Sequence, residues 1–90
     1  MVCVKNETGH AIYAKFESVR VDSNPLWSQS MIIPSGKEIH QPGTDYTVTI
    51  VVTENGSAYV LGQQTVFYTW TIKSEEYDAA LELKIPYKVV

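Results

Sequence analysis

The fold is decided by residues 46–56, which read YTVTIVVTENG. From Tyr46 to Glu54 the side chains alternate with a period of two, which is the periodicity of a β-strand because successive side chains point to opposite faces. Asn55-Gly56 follows at once and favours a type I′ hairpin turn, since both central residues of that turn need a positive φ. Ser57–Gln63 is therefore predicted to be the returning strand, with a β-bulge at Gly62.

A second alternating segment, Thr65–Lys73, is predicted to form one continuous strand. Shorter apolar or alternating segments, each ending near turn residues, predict further strands at Val2–Lys5, His10–Glu17, Met31–Ile33 and Leu81–Ile85. The acidic segment Ser74–Ala80 fits either a loop or one or two helical turns.

Together these segments predict an all-β domain of about seven short strands, spaced about 8–12 residues apart. The expected architecture is a small antiparallel two-sheet β-sandwich of immunoglobulin-like size, with a small β-barrel as the alternative. Ninety residues suffice for a single domain spanning 1–90. The hydrophobic fraction of 44% and the charged fraction of 19% favour a globular domain over a disordered chain.

Charge disfavours some classes of partner, and the cysteine content bears on the cellular compartment. The net charge is −3 and the seven basic residues are scattered, whereas nucleic-acid binding needs clustered Lys and Arg. No apolar stretch approaches the roughly 20 residues of a transmembrane helix. Cys3 is the only cysteine, so no intramolecular disulfide can form, and we expect a cytoplasmic protein. Secretion is the alternative if a leader has been removed, and only then would the glycosylation tripeptides at Asn6 and Asn55 be used.

Neither catalysis nor metal binding is predicted. His10 and His40 are the only histidines, and neither has a ligand partner at the close spacing typical of zinc sites. The chain lacks a G-x-S-x-G nucleophile elbow and the glycine patterns of phosphate-binding loops. The carboxylates of residues 75–82 are interpreted as a solvated segment. We therefore expect a non-enzyme without cofactors.

A threonine-rich face is the first feature above background. If Tyr46–Thr53 and Thr65–Lys73 lie in one sheet, their threonines share one outward face with Val51 and Phe67. A solvated sheet face is the simple interpretation, because threonine is a good strand former. The functional interpretation is a flat recognition surface of low charge. The threonines concerned are Thr47, Thr49, Thr53, Thr65, Thr69 and Thr71.

Aromatic residues outside the expected core are the second feature. Trp27 lies in the longest predicted loop, and Tyr13 lies opposite Ile12 and Phe16 on its strand. Such aromatics serve as anchors in recognition, although Trp27 could instead cap the core.

These features predict a non-enzymatic interaction module that presents the threonine-rich face, or a sheet edge, to a protein partner or to a second copy of itself. The alternative is a carbohydrate- or lipid-head-group-binding domain that uses Trp27. The candidate binding residues are Trp27, Tyr13, Thr47, Thr49, Val51, Thr65, Phe67 and Thr69.

Overall fold

The structure, a computed structural model, describes residues 1–18, 28–43 and 45–88. These residues form seven strands and one helix. In chain order they are β1 (Val2–Glu7), β2 (Ile12–Ser18), β3 (Ser28–Ile33), β4 (Glu38–Gln41), β5 (Tyr46–Glu54), β6 (Ser57–Val66), β7 (Thr69–Lys73) and α1 (Ser74–Leu83).

The strands make two sheets that are not closed into a barrel, which confirms the predicted small two-sheet sandwich. The four-stranded sheet has the order β3-β2-β5-β6 and is antiparallel throughout. The three-stranded sheet has the order β4-β1-β7, and in it β1 pairs antiparallel with β4 but parallel with β7. The expectation of purely antiparallel sheets was wrong for this last pair. No hairpin joins β1 to β7, so no turn imposes an antiparallel pairing on them.

The predicted hairpin between β5 and β6 is confirmed. Asn55 and Gly56 have φ values of 52° and 82°, as a type I′ turn requires. The predicted bulge is present as well, because the pairing steps from Ile50–Gly62 to Val51–Val60 and skips one residue of β6.

The prediction of one strand over Thr65–Lys73 was wrong. β6 ends at Val66, the chain bends at 67–68, and β7 continues in the other sheet. The alternation survives this corner because Val66 and Ile72 both face the interior between the sheets. Tyr68 lies at the bend and is 79% exposed.

The C-terminal strand predicted at Leu81–Ile85 was also wrong. α1 extends to Leu83, and Lys84 follows it in the left-handed conformation with φ 53°. Tyr77, Ala80 and Leu81 have the spacing of one helix face, and all three pack against the core. At ten residues α1 falls short of the apolar length that a bilayer crossing requires, and the described residues hold no other helix.

The core lies between the two sheets and is closed at one end by a buried asparagine. The Nδ2 group of Asn6 donates to the carbonyl oxygens of His10 (2.7 Å) and Ile33 (2.8 Å). Its Oδ1 accepts hydrogen bonds from the backbone N–H (3.0 Å) and the hydroxyl (2.7 Å) of Thr8. Asn6 thereby ties β1 to the end of β3, across the two sheets. The fully buried apolar residues are Val2, Val4, Ile12, Ala14, Phe16, Ile33, Val48, Ile50, Val52 and Ile72.

Candidate functional site

The outer face of the four-stranded sheet carries one apolar row that crosses all four strands. Strand register places Ile32 of β3 opposite Tyr13 of β2, Tyr13 opposite Val51 of β5, and Val51 opposite Val60 of β6. Cross-strand partners lie on the same face, so these four side chains form a continuous stripe, here called the apolar row. Ile32 is 55% exposed, Tyr13 39% and Val51 6%, so the row becomes more accessible toward β3.

Polar rows lie beside the apolar row on the same face. The next row pairs Lys15 with Ser30 and with Thr49, and Gln63 completes it. The Nε2 group of Gln63 donates to the hydroxyl of Thr49 at 2.7 Å, and Thr49 is buried. Lys15 Nζ lies 3.9 Å from a carboxylate oxygen of Glu17 in the row beyond, so the charges of this region are paired. Exposed apolar surface on this face is therefore concentrated in the apolar row.

The C-terminal segment covers the β6 end of the apolar row. The N–H of Val60 donates to the carbonyl of Ile85 at 2.8 Å, and the N–H of Tyr87 donates to the carbonyl of Ala58 at 3.0 Å. Pro86 forms an isolated bridge with Tyr59. These contacts place 85–87 along the edge of β6. A shallow groove of about 380 Å³ is lined by Tyr13, Ala14, Lys15, Ser30, Val51, Thr53, Ala58 and Tyr87.

The opposite edge of this sheet, β3, has the sequence SQSMII, which contains neither charge nor proline. Among the described residues, no backbone hydrogen bond reaches β3 on the side away from β2. Natural proteins usually protect an edge strand with charge, proline, a bulge or a covering segment. The other edges of the described strands have such features. β4 is four residues long with Glu38 in it, β7 ends at Lys73, and β6 has both the bulge and the covering segment.

The structure separates the predicted binding residues into three places. Tyr13 and Val51 lie side by side in the apolar row, and Thr47 and Thr65 are cross-strand partners two rows away. The single threonine face was wrong, because β7 belongs to the other sheet. Thr69 therefore lies on the outer face of the three-stranded sheet.

Phe67 belongs to neither sheet and is exposed in the bend that follows β6. Trp27 lies outside the described residues, so the carbohydrate and lipid alternative based on it stays a prediction. The binding roles of all the candidate residues stay predictions too.

Sequence reasoning missed Ile32 and Tyr87. Met31-Ile32-Ile33 contains one signal for Ile32, because consecutive apolar residues on a strand cannot all face the core. One of them must point outward. No comparable local signal marks Tyr87, since its position depends on the pairing of 85–87 with β6.

A second group of side chains was also missed, on the outer face of the three-stranded sheet. Cys3, Glu38 and His40 offer ligand atoms that all lie within 4.8 Å of one another. The distance in sequence between Cys3 and the other two concealed this group, which depends on the pairing of β1 with β4.

Comparisons with protein-family models, with curated proteins and with solved structures found no match to this chain.

Proposed function

We propose that this chain is a non-catalytic interaction module that pairs its β3 edge with an extended segment of a protein partner. The partner strand continues the four-stranded sheet through backbone hydrogen bonds, as in other cases of β-strand addition. The observation that carries the proposal is the combination of an uncharged edge strand with an exposed Ile32–Tyr13 pair beside it.

The apolar row gives this edge its specificity. A strand added beside β3 places alternate side chains on the outer face, where one of them extends the row past Ile32. A β-branched or aromatic side chain at that position buries the exposed surfaces of Ile32 and Tyr13. Burial of apolar surface contributes roughly 25 cal/mol per Å².

The charges near β3 indicate what kind of segment fits. β3 has no charged residue, and Lys15 on the neighbouring strand is already within 3.9 Å of Glu17. Charged side chains on the partner would therefore find no unpaired counter-charge on β3 or in the adjoining rows of β2. The expected partner segment is extended and of low charge, with at least one large apolar side chain.

The proposal places the module in the cytoplasm, where a single cysteine stays reduced. Asn6, the acceptor of one glycosylation tripeptide, is buried and both of its amide hydrogens are bonded. The folded chain therefore does not offer this residue for glycosylation.

Selection of binders from a library of random linear peptides tests the proposal. We expect enrichment of uncharged sequences rich in β-branched and aromatic residues. The affinity of an enriched peptide is then measured by calorimetry against two variants, Ile32→Lys and Ile85→Lys. Ile85 is the matched control, because it is also an isoleucine about half exposed but lies beside β6.

Ile32→Lys should weaken binding at least about tenfold, which corresponds to ~1.4 kcal/mol, while Ile85→Lys leaves it unchanged. Analytical ultracentrifugation of the free chain measures its oligomeric state and so tests whether a second copy of the chain occupies the β3 edge. A dimer that Ile32→Lys dissociates would place a second copy at the same edge instead. A chain that stays monomeric and enriches no peptide sensitive to Ile32→Lys would contradict the proposal.

A further inference from the structure

The three-stranded sheet brings three potential metal ligands together on its outer face. Glu38 and His40 are two residues apart on β4, so their side chains point the same way. The register of β1 with β4 places Cys3 directly opposite His40. The group therefore follows from one strand pairing, and it lies in the sheet that does not contain β3.

The distances within this group are close to those of one face of a small tetrahedron. Cys3 Sγ lies 3.4 Å from Glu38 Oε2 and 4.0 Å from His40 Nε2, and His40 Nε2 lies 3.5 Å from Glu38 Oε1. Zinc bonds of about 2.3 Å to sulfur and about 2.0–2.2 Å to nitrogen and oxygen, at tetrahedral angles, place ligand atoms about 3.4–3.6 Å apart. These distances involve both carboxylate oxygens of Glu38, and with one ligand atom from each residue the three atoms lie within 4.8 Å of one another. Closing them to the zinc spacing requires side-chain movements of about 1 Å.

The donor set points to the kind of ion. A thiolate and an imidazole favour zinc and similar transition metals over magnesium and calcium, which prefer oxygen ligands. The side chains of Glu38 and His40 are each about half exposed, so an ion can reach them from solvent. We propose that Cys3, Glu38 and His40 form a zinc site with three protein ligands, in which water fills the fourth position.

Without metal the group is held by hydrogen bonds. Burial, followed by the hydrogen bond to Glu38, raises the pKa of the Cys3 thiol, while the contacts with Cys3 and His40 lower the pKa of Glu38. Zinc binding forms a Zn–S bond and releases the thiol proton to solvent, and Glu38 changes from hydrogen-bond acceptor to ligand. No oxidation or reduction takes place.

The ammonium group of Lys5 disfavours zinc binding at this site. Lys5 Nζ lies 3.7 Å from Glu38 Oε2, so a divalent ion at Glu38 would be repelled by this ammonium group. Displacement of the thiol proton adds to the cost of binding. With three protein ligands and these opposing terms, the site should bind zinc more weakly than a four-ligand structural site.

Titration of the tag-free, reduced chain with Co²⁺ and then Zn²⁺ tests the site. We expect a thiolate-to-cobalt charge-transfer band and the visible bands of four-coordinate cobalt, both removed by added zinc. Because the readout comes from the unaltered chain, it does not depend on whether a variant folds.

Variants assign the ligands. Cys3→Ser should abolish the charge-transfer band. His40→Gln and Glu38→Gln should each lower zinc affinity at least about tenfold, since even loss of an outer-shell partner costs about 10–100-fold. The matched controls are His10→Gln and Glu7→Gln, the latter an exposed carboxylate on the same sheet, and both should leave zinc affinity unchanged. Absence of the band in the unaltered chain, or equal zinc affinity of His40→Gln and the unaltered chain, would overturn the site.

Discussion

Replacement of Asn6 by alanine removes the amide that joins β1 to the end of β3. The carbonyl of Ile33 loses its 2.8 Å bond to Nδ2, and Thr8 loses both of its bonds to Oδ1. The carbonyl of His10 can find another donor, because the hydroxyl of Thr8, released from Oδ1, lies 2.9 Å away. Since Asn6 is 1% exposed, its partners are shielded from bulk water in the folded chain.

The expected loss of stability is about 3 kcal/mol, because each buried group left without its partner costs about 1–3 kcal/mol. A domain of this length is stable by about 5–13 kcal/mol, so the loss is a large fraction of the total. With a urea slope of about 1.5 kcal/mol per molar, the unfolding midpoint should fall by about 2 M.

Urea unfolding followed by circular dichroism measures this change. Gln63→Ala is the matched control, because Gln63 is also an amide with a side-chain hydrogen bond, to Thr49, but it is exposed. We expect the control to cost less than about 1 kcal/mol. A loss of unfolding free energy below about 1 kcal/mol for Asn6→Ala as well would refute the assignment of Asn6 as the link between the sheets.

Three further predictions concern the hairpin, the helix and the metal group. Gly56→Ala should destabilise the chain by about 1–2 kcal/mol in the same urea assay, because Gly56 has φ 82°, a conformation unfavourable for L-residues. Tyr77→Ala should cost about 3–5 kcal/mol and reduce the helical signal, since it removes the ring that packs on the core and stacks 4.3 Å from His10. Lys5→Met should tighten zinc binding by less than about fivefold, the size expected of an exposed ion pair, and calorimetry should show no such change for Lys15→Met.

The elements that the sequence predicted well are those encoded locally. Asn55-Gly56 requires positive φ at two adjacent residues and so specifies both the turn and the register of β5 with β6. No local sequence signal marks the bend at 67–68. The chain passes from one sheet to the other there, and the apolar and polar side chains keep alternating because both sheets face the same core. Near the C-terminus, the alternation of Leu81 and Leu83 predicted a strand. The segment is instead helical, because Tyr77, Ala80 and Leu81 lie on one helix face that packs against the core.

The candidate sites depended on strand pairing, which the sequence does not specify locally. The apolar row exists because three registers align Ile32, Tyr13, Val51 and Val60, and two of these residues were recognised as candidates beforehand. The Cys3 group needs β4 beside β1, because Cys3 is more than thirty residues away along the chain from Glu38 and His40. Spacing rules for metal ligands find sites built on one loop or helix and therefore miss this arrangement.

Amide hydrogen exchange on the complex with a selected peptide tests the central claim most directly. If the peptide adds a strand at β3, amides of Ser28–Ile33 that are free in the unbound chain should become protected, since they enter a new backbone ladder. Exchange in β4 and β7 should stay as it is in the free chain. Protection that appears at β4 or β7 while β3 exchanges as before would contradict the account.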